Sequence, residues 1–538
     1  MPGERATRGS GGVSAGMLAA AAVLVGVLVW AIALPGVGVV RDLAVGIARE
    51  PGDAGSALAV PVGIILRTLS SALGIGVIAV LLAWAPARVL AGPGGRRWAA
   101  VLAAPMLLPM YLASSAWGQW RAPGTPIGDR LAHLAGEGHR WAPVLTGQAI
   151  ALIGLALWAT PIAACVLAAG LAGADRSLDD ARRLEGGGVW ARGSHTIGAH
   201  RWTMLAGIGA VALVMLGSAV PMHLAQFDTV AIAAWRRLAE SGPDAWWRAW
   251  IAAWPSVGVA VLAGWVIGGW AVRAARTTRE TGAPAATRRT PARGWAVVAA
   301  GVFAVAVALP LVSFAYETGG VAQLRAFFVI EGDAIRASGM VAAIVGAIVA
   351  TLAAATAALL STSGAVTGGV VRWSARVAIV VGLAPGVLVG AAVARSPIDG
   401  PAALIAAHVA RFAFVGIALG CWAAAGEPPE RRALRRVDGR ATLGAWASAC
   451  LPVQWGAIVG AGLAAAALSL HEIEASVIVQ PPGVPSLARD VLSLLHYART
   501  RELAAAGTIV VSIGLVLAVL SGLGVSKGRE RAGARHDG

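Results

Sequence analysis

Long apolar segments alternate with shorter polar ones along almost the whole chain. A helix needs about 20 apolar residues to cross a hydrocarbon core of about 30 Å, and most of these segments are close to that length. Inside lipid, a single segment satisfies its own backbone hydrogen bonds only as a helix. The pattern therefore predicts an all-α polytopic membrane protein with about twelve transmembrane helices. The expected spans are Met17–Leu34, Leu66–Ala85, Trp98–Trp117, Val144–Leu171, Thr203–Val220, Ala249–Val272, Trp295–Phe314, Gly339–Leu360, Val377–Val393, Ala402–Ala425, Val453–Leu470 and Ala506–Leu523.

The polar segments indicate two repeated six-helix halves. Leu178–His200 contains Arg-Arg-Leu-Glu-Gly and Arg431–Pro452 contains Arg-Arg-Val-Asp-Gly, and each lies between two apolar segments. A segment rich in Thr, Ala and Arg divides the chain near its middle. We predict a first half at 1–272 with a polar loop near 175–202, a cytoplasmic linker at 273–294, a second half at 295–526 with a polar loop near 426–452, and a cytoplasmic tail at 527–538.

Composition and charge favour a membrane protein and predict its orientation. The chain is 57% hydrophobic and 13% charged, whereas soluble domains carry about 25% charged residues. In a soluble protein, a net charge of +16 would suggest that the protein binds nucleic acid. In a membrane protein, an excess of Arg marks the cytoplasmic loops. The order of the spans places more than twice as many Lys and Arg residues on one side as on the other. We therefore predict a multi-pass protein of the inner (cytoplasmic) membrane with both termini cytoplasmic, in contact with the lipid bilayer and with no nucleic acid.

The sequence offers no catalytic set and no metal or cofactor site of its own. Cys165, Cys421 and Cys450 show no CxxC spacing, and no two histidines form an HExxH pair. A Walker A loop needs Gly-Lys followed by Ser or Thr, whereas the one lysine, Lys527, follows Ser and precedes Gly. We predict that the chain is not an enzyme. If ATP drives its function, another polypeptide binds the ATP.

The two polar loops resemble the EAA loop of binding-protein-dependent ABC transporter permeases. In that family an acidic residue and Ala-Ala precede a Gly, and Leu-Pro follows. The matching residues are Asp180, Ala181 and Gly186 in the first loop and Gly439, Leu451 and Pro452 in the second; Ala433 stands at the acidic position of the second loop, and Gly198-Ala199 replaces Leu-Pro in the first. The resemblance implies a pair of rigid coupling loops that a dimer of separate ABC ATPase subunits grips. The competing interpretation is a pair of ordinary basic loops.

A second stretch, Ser469–Tyr497, resembles a segment of the ferric-iron-type permeases that fuse two halves in one chain. The residues that match are Glu472, Ala475, Ser476, Pro481, Pro482, Gly483, Leu487 and Ala488, and Ser218–Asp228 is a looser counterpart in the first half. Ionisable groups near the membrane end of a span are usually functional or paired. Glu472 and Glu474 are therefore candidate gate residues, and the resemblance adds Ser476, Pro481, Pro482 and Gly483. The competing interpretation is that both glutamates are solvated and paired with nearby arginines. Within predicted spans, Arg67 and Arg411 are expected to snorkel or to form buried pairs.

Both resemblances imply the membrane permease subunit of an ABC importer. A periplasmic or lipid-anchored binding protein would deliver the solute, with ferric iron as the first candidate and thiamine or another small solute as further ones. Two other classes stay open. An ion-coupled secondary transporter can also have two six-helix halves. A polytopic lipid-modifying enzyme would need an outer catalytic acid, for which Asp228, Glu472 and Glu474 are the candidates.

Overall fold

The computed structural model describes residues 14–92, 95–172, 189–241, 246–276, 293–361, 365–427, 435, 442–497 and 499–533. The helices of the first half are α1 (Ala15–Leu28), α2 (Leu34–Arg49), α3 (Pro51–Leu58), α4 (Val62–Ala91), α5 (Ala99–Ala103), α6 (Met110–Gly118), α7 (Pro126–Gly136), α8 (Trp141–Ala172), α9 (Val189–Leu216), α10 (Val220–Leu224), α11 (Val230–Ser241), α12 (Trp246–Ala252) and α13 (Trp254–Arg276). Those of the second half are α14 (Arg293–Phe303), α15 (Leu309–Thr318), α16 (Val321–Ile330), α17 (Gly332–Ser361), α18 (Ala365–Leu383), α19 (Gly386–Ala394), α20 (Gly400–Ala425), α21 (Leu443–Ala449), α22 (Leu451–Leu470), α23 (Glu474–Val479), α24 (Leu487–His496) and α25 (Thr500–Gly533). No strand occurs among these residues, so the all-α prediction is confirmed.

Ten helices in the described part of the chain are long and apolar enough to cross a membrane, and a bent pair of helices could add an eleventh. α1 and α2 form one such helix through a π-helical turn at Val29–Ala33, and α14 and α15 form another through Ala304–Ala308. The predicted span Ala506–Leu523 falls in α25, whose side chains are described only as far as Val516. The prediction of a polytopic membrane protein is therefore confirmed.

Two predicted spans, Trp98–Trp117 and Val377–Val393, are broken helices rather than continuous ones. The first bends by 83° between residues 107 and 110, and the second is interrupted between α18 and α19. Each break contains a proline, Pro109 or Pro385, whose backbone is extended (ψ 133° and 129°). Proline lacks the N–H that would continue a helix and disfavours helical geometry in the residue before it. α18 begins at Ala365, well before the predicted start of this span at Val377, so Arg376 is helical.

The helices of the two halves pack according to the same plan. In the first half α4 packs against α8 and α9, and in the second half α17 packs against α20 and α22. The first spans exchange places, since α1 lies against α17 and α14 lies against α4. The last span of the first half also reaches the second half, because α13 lies against α18, whereas α25 packs mainly against helices of its own half, α22 among them, and touches α5 only at its side. The two halves are therefore interlocked.

A glycine in the second span of each half lets the backbones approach closely. Gly76 and Gly346 occupy the same position within α4 and α17. A Cβ on Gly76 would lie 2.7 Å from the carbonyl oxygen of Ile208, and one on Gly346 would lie 2.7 Å from that of Gly462. Membrane helices commonly use small residues in this way, because packing rather than a hydrophobic driving force holds them together.

Candidate functional site

The two helix breaks are closed by side chains from the next span of the same half. Trp158 of α8 donates from Nε1 to the carbonyl oxygen of Leu108 at 2.7 Å. Arg411 of α20 donates from Nη1 to the carbonyl oxygens of Ala384 at 2.5 Å and Gly382 at 3.1 Å. A carbonyl freed by a break needs such a partner, since an unpaired one is unfavourable away from water. Arg411 therefore forms the buried contacts expected of an arginine within a span.

Glu472 lies beside the second break and pairs with the same arginine. Its Oε2 is 3.3 Å from Arg411 Nε, and its Oε1 accepts the backbone N–H of Ala475 at 2.9 Å. The second contact satisfies a free N–H at the start of α23, as an N-terminal cap does. The side chain is only 7% exposed. Glu472 is thus paired with an arginine, as the competing interpretation expects, but it is not solvated.

Glu474 connects the second half of the chain to the first. Its Oε1 accepts the backbone N–H groups of Ala219 at 2.6 Å and of Val220 at 3.1 Å, both at the start of α10. The residue is 7% exposed, and its Oε2 is buried with no hydrogen-bond partner among the described residues. The expectation of a solvated Glu474 paired with an arginine is therefore wrong. The reason is that the turn before α23 directs its carboxylate at the first half and away from water.

Gly386, just after the second break, makes room for both glutamates. A Cβ on Gly386 would lie 2.8 Å from Glu474 Cβ and Oε2 and 3.0 Å from Glu472 Oε1. One turn later, a Cβ on Gly390 would lie 2.8 Å from the carbonyl oxygen of Ala475. The two glycines therefore face α23 and let α19 pack closely against it.

A buried histidine holds the end of the fifth span against α23. His408 Nδ1 lies 2.6 Å from Ser469 Oγ, and His408 Nε2 lies 2.8 Å from Ser476 Oγ. Ser476 Oγ also donates to the backbone carbonyl of Glu472. Because the one hydroxyl proton of Ser476 is used there, Nε2 is the donor toward Ser476 and Nδ1 accepts from Ser469. These groups, with Ser338 and others, line a cavity of about 10 Å³, roughly the space of one water molecule.

The corresponding turn of the first half carries no acid. Ser218 and Val220 follow α9 at the positions that Glu472 and Glu474 hold after α22. A Cβ on Gly217 would lie 2.8 Å from the carbonyl oxygen of Leu383, so this turn rests directly on the second helix break. Each turn thus meets the other half or its break, but the buried carboxylates come from the second half alone.

The remaining gate candidates lie outside this polar cluster. Pro481, Pro482 and Gly483 form a turn in which Gly483 has a φ of +76°, a geometry that favours glycine. The turn is closed by Gln480, whose Nε2 donates to the carbonyl oxygen of Val484 at 2.6 Å. The structure therefore brings Glu472, Glu474 and Ser476 together and uses the Pro-Pro-Gly turn to start the path to α24.

Four of the predicted coupling-loop residues lie outside the described residues: Asp180, Ala181, Gly186 and Gly439. Leu451 and Pro452 begin α22, where proline's missing N–H has no helix partner to lose. The short helix α21 precedes them, and Thr442 caps it by accepting the N–H of Ala445.

A buried ion pair near the second loop was not foreseen from the sequence. Arg435 Nε donates to Glu427 Oε1 at 3.0 Å, and Arg435 Nη2 donates to the carbonyl oxygen of Ser361 at 3.4 Å. Cys450 Sγ lies 3.3 Å from the same Glu427 oxygen. The pair thus joins the ends of α17 and α20 to the start of α22. Its charges sit in a basic segment where the sequence alone gives no reason to pair these two residues.

The other chemistry-bearing residues do not assemble into a site. Asp228 pairs with Arg236, and Arg67 lies 3.9 Å from the second Asp228 oxygen, all at least partly exposed. Among the described residues, no group of three or more His, Cys, Asp or Glu side chains is placed to hold a metal ion. The polar cluster around Glu472 and Glu474 is therefore the candidate site.

No family model, no curated protein and no solved structure matches this chain.

Proposed function

We propose that the chain is the membrane permease subunit of an ABC importer, with both permease halves fused. It would form the pathway for a solute that a binding protein delivers, and a separate ATPase would drive the transport. The observation that carries the proposal is the contact of Glu474 with Ala219 and Val220, which joins the halves within a bundle of apolar helices. Irregular backbone at membrane depth is tolerated only inside protein or beside a water-filled path, and both breaks lie next to this contact.

The geometry supports a gate that opens between the halves. Arg411, Glu472 and His408 all bond within the second half, so this group can move as one body. Only the two hydrogen bonds of Glu474 cross to the first half among the described contacts of the two glutamates. Hydrogen bonds to a charged group contribute about 1.5–3 kcal/mol each, which holds a gate closed without making it permanent.

Coupling to an ATPase would act through the two polar loops. In the second loop, the Glu427–Arg435 pair fastens the loop to the ends of two spans, and Pro452 begins a third. A movement of this loop would therefore displace α22, which ends two residues before Glu472. ATP would be bound by the partner subunits, and the chain itself would hold no cofactor.

Ferric iron is the first candidate solute, on the resemblance of Ser469–Tyr497 to ferric-iron-type permeases. The bundle would lie in the inner membrane with both termini in the cytoplasm, as the distribution of Arg and Lys predicts.

An ion-coupled secondary transporter is the second candidate. The specific observation that favours it is the buried Glu474, whose Oε2 lacks a hydrogen-bond partner among the described residues. A carboxylate of this kind can take up and release a proton or a cation at the contact of two repeats.

Purification of the tagged full chain in mild detergent separates the two candidates. We expect a P-loop ATPase to co-purify and to be lost when Gly186 and Gly439 are replaced by Trp. The matched control is Gly444→Trp, in the same loop, where a Cβ meets nothing within 4 Å. All variants must remain monodisperse. A chain that purifies alone, yet moves solute into liposomes under an ion gradient, would rule out the ABC proposal and favour the secondary transporter.

A further inference from the structure

Two arginines of α18 lie at a close crossing with α13. The crossing is made by Gly264 and Gly268, spaced four residues apart on α13. A Cβ on Gly264 would lie 2.8 Å from the carbonyl oxygen of Arg376, and one on Gly268 would lie 2.9 Å from the Arg376 nitrogen. Two small residues at this spacing are a common means of bringing membrane helices together. The backbone of Arg376 is therefore held firmly against α13.

Two tryptophans bracket the side chain of Arg376. Its guanidinium carbon lies 4.0 Å from the ring centroid of Trp265 and 5.2 Å from that of Trp373. The two rings meet edge to face, with centroids 5.3 Å apart and planes at 81°. Trp265 is 53% exposed and Trp373 is 55% exposed, although both lie on helices long and apolar enough to span a membrane. Rings exposed on the outer surface of such helices face lipid.

The positive charge at this place has no described counterion. Arg372 lies one turn before Arg376 on the same face of α18, and like charges at this spacing repel each other. Among the described residues, no carboxylate forms an ion pair with either arginine, and the Nε atom of each is buried without a hydrogen-bond partner. A cation over an aromatic ring makes no N–H···O hydrogen bond, so these contacts supply no acceptor oxygen to the guanidinium N–H groups. Those groups match the oxygens of a phosphate.

We propose that Arg376, bracketed by Trp265 and Trp373, and Arg372, one turn before it on α18, bind the phosphate of an anionic phospholipid. The occupant is a lipid because the tryptophans are exposed on the outward surface of two membrane-spanning helices, where an acyl chain can lie against them. Basic sites between membrane helices bind lipid headgroups in this way. The site is separate from the cluster around Glu472, and it stands whether or not the chain is an ABC permease.

The test uses the full chain reconstituted in phosphatidylcholine containing a minor fraction of phosphatidylglycerol. After transfer to detergent, native mass spectrometry counts the lipids that stay bound. We expect phosphatidylglycerol to be enriched, and the enrichment to fall about fivefold in Arg376→Gln and to vanish in the double variant with Arg372→Gln. Arg376→Lys keeps the charge but loses the stacking and planar geometry, so its enrichment should lie between those of the unmodified chain and Arg376→Gln.

The matched control is Arg336→Gln, since Arg336 is exposed and already paired with Asp333. It should leave the enrichment unchanged. An unselective lipid population on the unmodified chain would overturn the proposal, even if the variants fail to fold. It would also be overturned if added glycerol phosphate or inorganic phosphate displaced the lipid completely at low concentration, because the site would then serve a soluble phosphate.

Discussion

At the residue scale, the carboxylate of Glu474 makes the contact whose loss is easiest to measure. In Glu474→Ala, the N–H groups of Ala219 and Val220 would be buried without an acceptor. An unsatisfied buried donor costs about 1–3 kcal/mol, so we expect a loss of about 2–4 kcal/mol in the free energy of unfolding. Glu474→Gln retains an acceptor oxygen and should lose less. Thermal unfolding in detergent compares the stability of both variants with that of the unmodified chain. Equal stability of the alanine variant and the unmodified chain would contradict the contact.

The pair of Arg411 and Glu472 gives a second prediction at this scale. Arg411→Ala removes the partner of a buried carboxylate and the cap of two carbonyls, so we expect a loss of about 3–5 kcal/mol. Glu472→Gln should restore part of that loss, because it removes the charge that was left unpaired. The measurement is a double-mutant cycle by chemical unfolding. Additive effects of the two substitutions would show that these side chains do not interact.

The residues of this cluster could be foreseen only in part. Glu472, Glu474 and Ser476 lie in one stretch of sequence, and acids at the end of an apolar span draw attention by themselves. Their partners lie far away along the chain: Arg411 and His408 belong to the preceding span, and Ala219 contributes only its backbone. A backbone donor has no signature in the sequence. The burial of Glu474 therefore could not be predicted from its neighbours.

At the element scale, the contact of α19 with α23 depends on glycine. Gly386→Ala would place a Cβ against Glu474 and Glu472, and overpacking of this kind costs about 1–3 kcal/mol. We expect a lower melting temperature in detergent. The matched control is Gly460→Ala in the middle of α22, where a Cβ meets nothing within 4 Å and alanine favours the helix. If both variants melted at the same temperature, α19 and α23 would not pack as described.

A carboxyl pair outside the spans predicts a dependence of stability on pH. Burial, and then the neighbouring Asp490, raise the pKa of Glu331 above its ordinary value of 4.5. An acid with a raised pKa in the folded state stabilises the fold below its ordinary pKa and loses that contribution as the pH rises through the raised value. Glu331→Gln should therefore raise the melting temperature more at about pH 8 than at about pH 4. The exposed Glu240→Gln is the control, and a change independent of pH in Glu331→Gln would contradict the pair.

The elements themselves were largely predictable, but their breaks were not. An apolar segment of about 20 residues indicates a span regardless of its neighbours, which is why most predicted spans correspond to observed helices. A proline within such a segment is compatible with a kink, a π-helical turn or a full break. Pro35 and Pro310 follow π-helical turns in continuous spans, whereas Pro109 and Pro385 break theirs. At both breaks a side chain donates a hydrogen bond to a freed carbonyl oxygen, Trp158 at the first and Arg411 at the second, and only the packing shows that such a donor is available.

At the scale of the whole molecule, the exchange of spans between the halves is invisible in the sequence. The repeated polar loops predict two halves, but they contain no information about which helix lies against which. The crossing of α1 to α17 and of α14 to α4 depends on complementary surfaces, such as the buried face of α1 that contains Met17 and Leu24. An interlocked pair of halves should behave differently from two bundles that merely touch.

The interlocked packing predicts that the chain can be divided and still assemble. We expect fragments 1–283 and 284–538, expressed together, to co-purify as one monodisperse species, because each supplies the first span that the other half packs against. Expressed alone, each fragment should aggregate, since a core surface of its second span would be uncovered. The matched control is a first fragment shortened to 62–283, which lacks α1 and should recover much less of its partner. Two fragments that are each monodisperse alone and do not associate would show that the halves fold as independent bundles. Such a result would also count against the proposed gate. The hydrogen bonds from Ala219 and Val220 to Glu474 would then lie in an interface too weak to hold the two halves together.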